Sequence, residues 1–546
     1  MPAIITDQFR IANAETFIQS FSGIGTTSYY YAFLAHPEPS QSSTDGGSKP
    51  LKNYRIVTSG NEPIAPKDSF EQENSYHDSM LFAKRITNSD VRRVVPNRIW
   101  TAGESYDMYK HNIDIDNVAS VNGATNLYDS KFYVITDEFK VYICINNGSK
   151  PDISGNMTPE KSTSQPTHVD LSPRPAGDGS DGYLWKYLYT IKPADVIKFA
   201  TDDFIPVPDS WGDSNTIDVK NAAIDGKIET ILVTNAGQNY SYEDDASGID
   251  GTSNTVIPNV PIYGDGDGTA TASVTIAGGF VVSVDVSNGG SGYTCAHLEL
   301  NSASVKKGKV PIAPGSSDEA KFEVIIPPQG GHGADIYREL GAYRVLIHSK
   351  FDDTKDDLPD YITSNNFSRV GIIKNPIKQD ATGSSSVLID STTATTLGAI
   401  KLTGDNTLTE YPINAYIYQE ISDSEKAVGL VASYDKLTNI LRYYQPVGLS
   451  TLSSSGNRLL DFASISGTEI KGGSNMSGDS VANPLQVNTS FNLSNVGDVN
   501  VGVSFVNGIA KPEIKKYSGE VIYIDNRNKV TRSSTQKEEI KIVIEF

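Results

Sequence analysis

The sequence predicts a mainly β protein: a β-sandwich-like core body with a few N-terminal helices, interrupted by two inserted all-β domains. Three observations predict it. Ile540, Ile542, Ile544 and Phe546 alternate with Lys541, Val543 and Glu545, and a period of two puts every second side chain on one face of a strand. Glycine and tyrosine, 46 and 28 residues against 5 methionines, favour strands and turns over helix bundles. Composition shifts to Gly, Ser, Thr and Val from about 212 to 330, and a Ser/Thr/Gly-rich character returns over 379–508, as expected of added modules.

In chain order, Ala3 to Phe9 reads as a short strand. Ala14, Phe17, Ile18 and Phe21 then fall at helical spacing, ended by Gly23 and Gly25. Tyr29 to Leu34 is a strand that the following His36-Pro37-Glu38-Pro39 stops. A second helix is expected over 73–86, with Tyr76, Met80, Leu81 and Ala83, and Asp90 caps a short turn into Val91 to Pro96. Phe132 to Ile135 and Phe139 to Ile145, separated by Asp137-Glu138, read as a hairpin or meander.

A Gly/Asp turn, Gly177 to Gly182, opens a strand with Tyr183, Trp185, Tyr187 and Tyr189 on one face. Four rings in a row are either sheet core or a carbohydrate platform. In the first module, Ile231-Leu232-Val233-Thr234-Asn235-Ala236-Gly237-Gln238-Asn239-Tyr240 returns 53 residues on as Val284-Asp285-Val286-Ser287-Asn288-Gly289-Gly290-Ser291-Gly292-Tyr293. Each copy is a strand, an Asn-Gly-type turn and a tyrosine, and two copies sharing one buried face make a small β domain. The second module carries β-like runs at 413–418, 427–434 and 440–444. At the end of the chain, Val521 to Ile524 is expected to fold back through Asp525, Asn526 and Asn528 onto the terminal strand as an antiparallel pair.

The chain has 546 residues and a net charge of −20. At 59.0 kDa it exceeds a usual single domain. The acidic balance disfavours coating phosphates, which needs local Lys and Arg. Lys84, Arg85, Arg92, Arg93 and Arg98 form a basic cluster without interleaved aromatics, so a solvated face or a protein contact accounts for it better than nucleic acid. Cys144 and Cys295 are expected as free buried thiols suited to a reducing cytoplasm. Neither a signal peptide nor a membrane span is expected.

Motifs for known chemistries are missing from the sequence: there is no P-loop, no HExxH helix, no CxxC pair and no GxSxG elbow. Asp265-Gly266-Asp267-Gly268 and Asp178-Gly179-Ser180-Asp181-Gly182 resemble calcium loops, but neither completes an EF-hand, and turn chemistry explains Asp-Gly pairs equally. His332 is read as a loop imidazole bonded to backbone, with metal ligation or base chemistry as the alternative. Asp352, Asp353, Asp356 and Asp357 are read as a solvated loop in preference to a glycosidase carboxylate pair. No catalytic, cofactor-binding or metal residue is assigned, and an enzyme is not expected.

Several motifs, in order, carry a resemblance. They are Pro96-x-Arg98-x-Trp100; Leu127-Tyr128-Asp129 with Phe139 to Cys144; and Met157-Thr158-Pro159 followed by Gly182-Tyr183-x-Trp185-x-Tyr187-Leu188, Ile191-x-Pro193 and Phe204 to Pro208. Tyr337 to His348 and Phe367 to Pro376 continue the series. Ser518-Gly519-Glu520-x-Ile522-Tyr523-x-x-Asn526-Arg527, Glu538-Glu539-Ile540 and Phe546 close it. Together they resemble the baseplate wedge subunit, gene product eight, of T-even-type contractile-tail phages. The resemblance covers about 1–210, 335–378 and 510–546.

It implies a core body in three parts, 1–211, 335–378 and 510–546, with inserted β domains at 212–334 and 379–509. It also implies a non-enzymatic structural subunit, homodimeric, that contacts other wedge proteins in the virion tail baseplate after assembly in the host cytoplasm. A receptor-binding or glycan-degrading tail protein is the alternative, with glycan contact by the inserted domains as a third reading.

Overall fold

The structure, a computed structural model, describes residues 4–21, 28–36, 65–151, 157–238, 240, 255–300, 319–351, 365–379, 386–446, 449, 459–473, 481–493, 504–533 and 536–546. The fold is mainly β. The chain divides into two units, one of residues 1–16, 92–346 and 543–546, the other of 17–91 and 347–542. Each unit combines segments expected in the core body with one of the expected insertions, so the three-part body does not gather into one unit.

The centre of the first unit is a three-stranded antiparallel sheet in the order Tyr133–Ile135, Lys140–Asn147, Tyr183–Thr190. Its strands form where β-branched and aromatic residues follow one another, and both of its faces are covered. Val141, Ile143, Trp185 and Leu188 are buried, in one cluster with Met108, Phe132, Ile325 and Leu340. Phe139 turns the hairpin at a φ of 57°. The expected run of four rings on one face is corrected at a register shift between Val141 and Tyr142. Tyr183, Trp185 and Tyr189 are buried. Tyr187 is half-buried and meets Tyr142 edge-on at 5.8 Å.

The first inserted region holds a four-stranded sheet in the order Phe280–Asn288, Thr271–Ala277, Thr255–Gly264, Ala296–Leu298, and a separate ribbon of Ile231–Asn235 with Lys321–Val324. The two sequence copies are built alike. Asn235 Oδ1 accepts the Gly237 amide at 2.9 Å, and Asn288 Oδ1 accepts that of Gly290 at 3.2 Å. The Tyr240 hydroxyl accepts the Ala320 amide, and the Tyr293 hydroxyl accepts the Ala270 amide.

Pairing repeats as well. Asn235, Val233, Leu232 and Ile231 face Lys321, Phe322, Glu323 and Val324, skipping Thr234. Asn288, Val286, Asp285 and Val284 face Thr271, Ala272, Ser273 and Val274, skipping Ser287. The copies also clasp each other reciprocally: Ile228 N donates to Gly289 O at 3.0 Å and Val281 N to Ala236 O at 2.9 Å, each donor and each acceptor being 53 residues from its counterpart. Ile228, Ile231, Val281, Val284 and Tyr293 share one core.

Gly226 has a φ of +63°, and a Cβ there would stand 2.1 Å from Tyr293 N. Gly226→Ala is therefore expected to cost about 2–4 kcal/mol, since backbone on both sides of the clash is fixed by the clasp. A melting temperature within one degree or so of wild type would show that the loop shifts freely.

The second unit holds a five-stranded antiparallel sheet in the order Thr393–Thr395, Met80–Ile86, Tyr30–Ala35, Asn366–Lys374, Glu520–Thr531. Its middle strand is buried at every position. The helix Phe70–Ser79 starts where Ser69 accepts the Gln72 amide. It is tied to the sheet by the buried Arg369, whose Nη1 donates to Ser75 O and Ser79 Oγ and whose guanidinium lies 4.5 Å over Tyr76. A seven-stranded sheet is built on Tyr416–Ser422, Glu425–Asp435, Ile440–Tyr444 and Gly398–Thr403, where the sequence predicts an all-β insertion.

Several expectations are corrected. Residues 7–9 belong to the helix Asp7–Gln19, because the Phe9 and Arg10 amides bond to Thr6 O and Asp7 lies in the positive first turn. The helix expected over 73–86 ends at Ser79. Met80 turns extended, and Met80–Ile86 pairs on both edges, so burial in a sheet overrides helical spacing.

The terminal pair does not form. Glu520–Thr531 pairs with Asn366–Lys374, and Glu538–Glu545 with Arg344–Phe351 in another sheet. Asp525 to Asn528 make no turn, because Asn526 Oδ1 accepts the Tyr76 hydroxyl at 2.8 Å and residues 527–529 are absorbed as a bulge opposite Ser368. Cys144 is a buried thiol, but Cys295 is exposed, in the loop whose amides bond to Asp265. No helix among the described residues is long and apolar enough to cross a membrane.

Candidate functional site

The basic cluster of the sequence is split. In the second unit, Arg85 Nη1 donates to Asp390 O at 2.7 Å, and its guanidinium covers Tyr29. Lys84 Nζ donates to Lys350 O at 2.5 Å. In the first unit, Arg92 lies between Asp195 and Asp209, at 3.4 and 3.5 Å. Arg93 stacks 3.8 Å over Tyr337, and Arg98 Nη2 donates to Tyr128 O at 2.7 Å. Each cation is engaged by carboxylate, carbonyl or ring.

The Asp-Gly loops are turn scaffolds. Asp178 accepts from the amide and hydroxyl of Ser180. Asp181 accepts from the amides of Thr163 and Tyr183. Asp267 accepts from Thr269 and Ser291. Asp265 accepts the Thr294 hydroxyl and the amides of Cys295 and Thr294. The Thr294 hydroxyl, with those two amides, holds the Asp265 carboxyl down to about 2, against 3.8 in an open chain.

A depressed carboxylate contributes stability above its unfolded value and loses it as pH falls through the folded one. The melting-temperature gap between wild type and Asp265→Asn is therefore expected to be full above pH 3.8 and to close near pH 2. A gap unchanged at acid pH would refute the assignment.

His332 corrects its expectation. Its Nδ1 bonds to Glu339 Oε1 at 2.7 Å and not to backbone; Glu339 Oε2 accepts the Gly333 amide. The reason is local: Asp335 caps the short helix Ile336–Glu339 and turns Glu339 back toward the loop. Both side chains are buried, and Tyr109 packs edge-on against the imidazole. Asp352, Asp353, Asp356 and Asp357 lie outside the described residues. Among the described residues no group of three acids, histidines or cysteines is placed to hold a metal ion.

An arrangement with room for a ligand lies in the second unit and was not legible in the sequence. It is a cavity of about 190 Å³. The last turn of helix Phe70–Ser79 supplies His77 and Asp78, and strand Ile440–Tyr444 supplies Tyr443. The Tyr443 ring lies across Gly398, where a Cβ would stand 2.4 Å from the ring, and meets Phe462 edge-on at 4.5 Å. Met80, Leu459, Ile509 and Ile514 add apolar wall.

Charges around it are paired: Lys516 with Asp78 at 2.7 Å and Lys511 with Asp461 at 3.8 Å. Burial pushes the His77 imidazole below its ordinary value, toward the neutral form. These residues come from five separate stretches, 77–80, 398, 443, 459–462 and 509–516, and Tyr443-Tyr444-Gln445 is a local aromatic signal for them.

No protein-family model matches the chain and no curated protein matches it.

Proposed function

We propose that the chain is a structural subunit of the baseplate wedge of a contractile phage tail, acting in baseplate assembly and in passing on the trigger for sheath contraction. It works as a homodimer in contact with other wedge proteins, without enzymatic activity, in the tail baseplate of the virion after assembly in the host cytoplasm. What supports this reading is how the residues behind the family resemblance are used. Tyr183 and Trp185 stack in a buried core, Arg98 spans Tyr128 and Tyr133, and Pro206 takes the Tyr189 hydroxyl on its carbonyl. They are used in packing and in bonds to backbone carbonyls.

Surface for neighbours is at hand. Ile4, Ile5 and Phe9 are 88 %, 69 % and 57 % exposed within six residues of sequence, and exposed apolar side chains that form a patch favour burial by a partner. Passing on a trigger requires interfaces with two arrangements close in free energy.

The test is native mass measurement of the purified chain together with protein identification in intact virions. A species at twice 59.0 kDa and presence in the baseplate are expected. A trimer that cleaves surface polysaccharide, or a virion lacking the chain, would overturn the reading. Glycan contact by the second inserted region is a further reading, favoured by the cavity of about 190 Å³ that this region lines together with His77, Asp78, Met80 and residues 511–516.

A further inference from the structure

Small as it is, the cavity holds far more than a water, which needs roughly 10–15 Å³ on this measure, and falls short of the ~300 Å³ at which pockets for drug-sized ligands begin. At about 190 Å³ it suits a ligand of one ring.

Its polarity narrows the class. Among the described residues the Tyr443 hydroxyl has no hydrogen-bond partner, although the side chain is only 6 % exposed. Its oxygen is not among the fully enclosed polar atoms of the described residues, so it opens into the cavity, where a ligand hydroxyl can take the place of water. The ring nitrogens of His77 likewise meet no hydrogen-bond partner among the described residues, and that side chain is 8 % exposed. Gln445 Nε2 is committed to Val428 O and Leu460 O, which fixes the amide and points its oxygen elsewhere.

Free polar atoms are therefore neutral, while the four charged groups at the cavity neutralise one another in pairs. Among the described residues an anion or cation would find no unpaired countercharge there. Tyr443, Phe462, Ile509 and Ile514 offer C–H and ring surface beside those polar atoms. One face apolar and an edge of hydroxyls is the chemistry of a pyranose.

We propose that this cavity binds one neutral hexopyranose unit of a glycan. Tyr443 and His77 bond to its hydroxyls, and Phe462 with the aliphatic wall covers its C–H face. The site gives the glycan-contact reading a location and a ligand class, and it does not depend on the baseplate assignment.

The full-length chain is titrated with the methyl glycosides of glucose, galactose, mannose and N-acetylglucosamine, followed by saturation-transfer NMR and calorimetry. At least one is expected to bind with a dissociation constant on the order of 1 mM. Tyr443→Phe removes only the partnerless oxygen, so its melting temperature is expected to equal that of wild type while sugar affinity falls about five-fold. His77→Phe keeps the edge contact to Tyr517 and is expected to weaken the sugar likewise.

Saturable binding lost in both variants supports the site. Silence from all four glycosides, or binding that neither variant weakens, overturns it. If a neighbouring subunit's side chain is the occupant, Tyr443→Phe impairs wedge assembly with no sugar bound, and the proposal is again overturned. None of these outcomes bears on whether the chain is present in virions, so the baseplate reading stands or falls separately.

Discussion

Glu229→Leu is expected to destabilise the first unit by about 3–5 kcal/mol, because it strands the Lys186 ammonium in the interior. Lys186 and Glu229 meet at 2.9 Å with side chains 4 % and 6 % exposed. Lys186 sits mid-strand in Tyr183–Thr190, whereas Lys227, 3.8 Å from the same carboxylate, is 32 % exposed and keeps water when the carboxylate is lost. The pair itself is expected to add little net stability, since each ion lost its hydration on burial. The double variant Lys186→Met, Glu229→Leu should accordingly recover to within about 1 kcal/mol of wild type or exceed it.

Urea unfolding followed by tryptophan fluorescence reads this directly. Trp100, Trp185 and Trp211 are the three tryptophans of the chain, and all fall in the first unit. A double variant as unstable as Glu229→Leu alone would assign the loss to packing and not to the orphaned charge.

Trp185→Ala is expected to cost about 3–5 kcal/mol, the range for deleting a fully buried aromatic side chain. The indole is fully buried and lies parallel to Tyr183, 5.4 Å between centroids, with Tyr106 edge-on at 5.8 Å. Tyr183 is itself held at both ends of its hydroxyl, accepting the Tyr106 amide and donating to Glu160 O. Those bonds resist collapse into the space left, so the upper half of the range is expected. Trp185→Phe keeps the stack and should lose less than half as much. Equal losses for Ala and Phe would show that the indole ring, and not the stack, is what the site requires. Trp100 and Trp211 remain as reporters.

Strands were legible in the sequence where an apolar run or an alternation matches the burial: Lys140–Asn147 and the three runs in the second inserted region as largely continuous buried runs, and Thr271–Ala277 by its strict alternation. Short-range turn chemistry was legible too, as in the twin Asn235 and Asn288 turns. What failed was the choice among partners. Met80–Ile86 has a spacing that suits either a helix or a strand, and sheet neighbours on both edges decide it. Asp525, Asn526 and Asn528 have turn chemistry, but a tyrosine hydroxyl from a distant helix makes one of them a strand residue.

The division into two units was equally hidden. The chain changes unit at 16/17, 91/92, 346/347 and 542/543, inside one helix and three strands where no glycine or proline adjoins the crossing. The cavity was illegible for the same reason. Gly398 and Phe462 gain their meaning from Tyr443, and only the folded chain brings them together.

The reciprocal clasp of the first inserted region also makes its two copies interdependent. One copy of the strand–turn–tyrosine unit takes its partner strand from upstream, Thr271–Ala277, and the other takes it from downstream, Lys321–Val324. Contacts that exchange the same atoms in both directions are those of a self-associating peptide. Neither copy is complete by itself: each lends a backbone carbonyl to the other, so damage to one is felt by both, and the loop that joins them adds only a modest closure entropy.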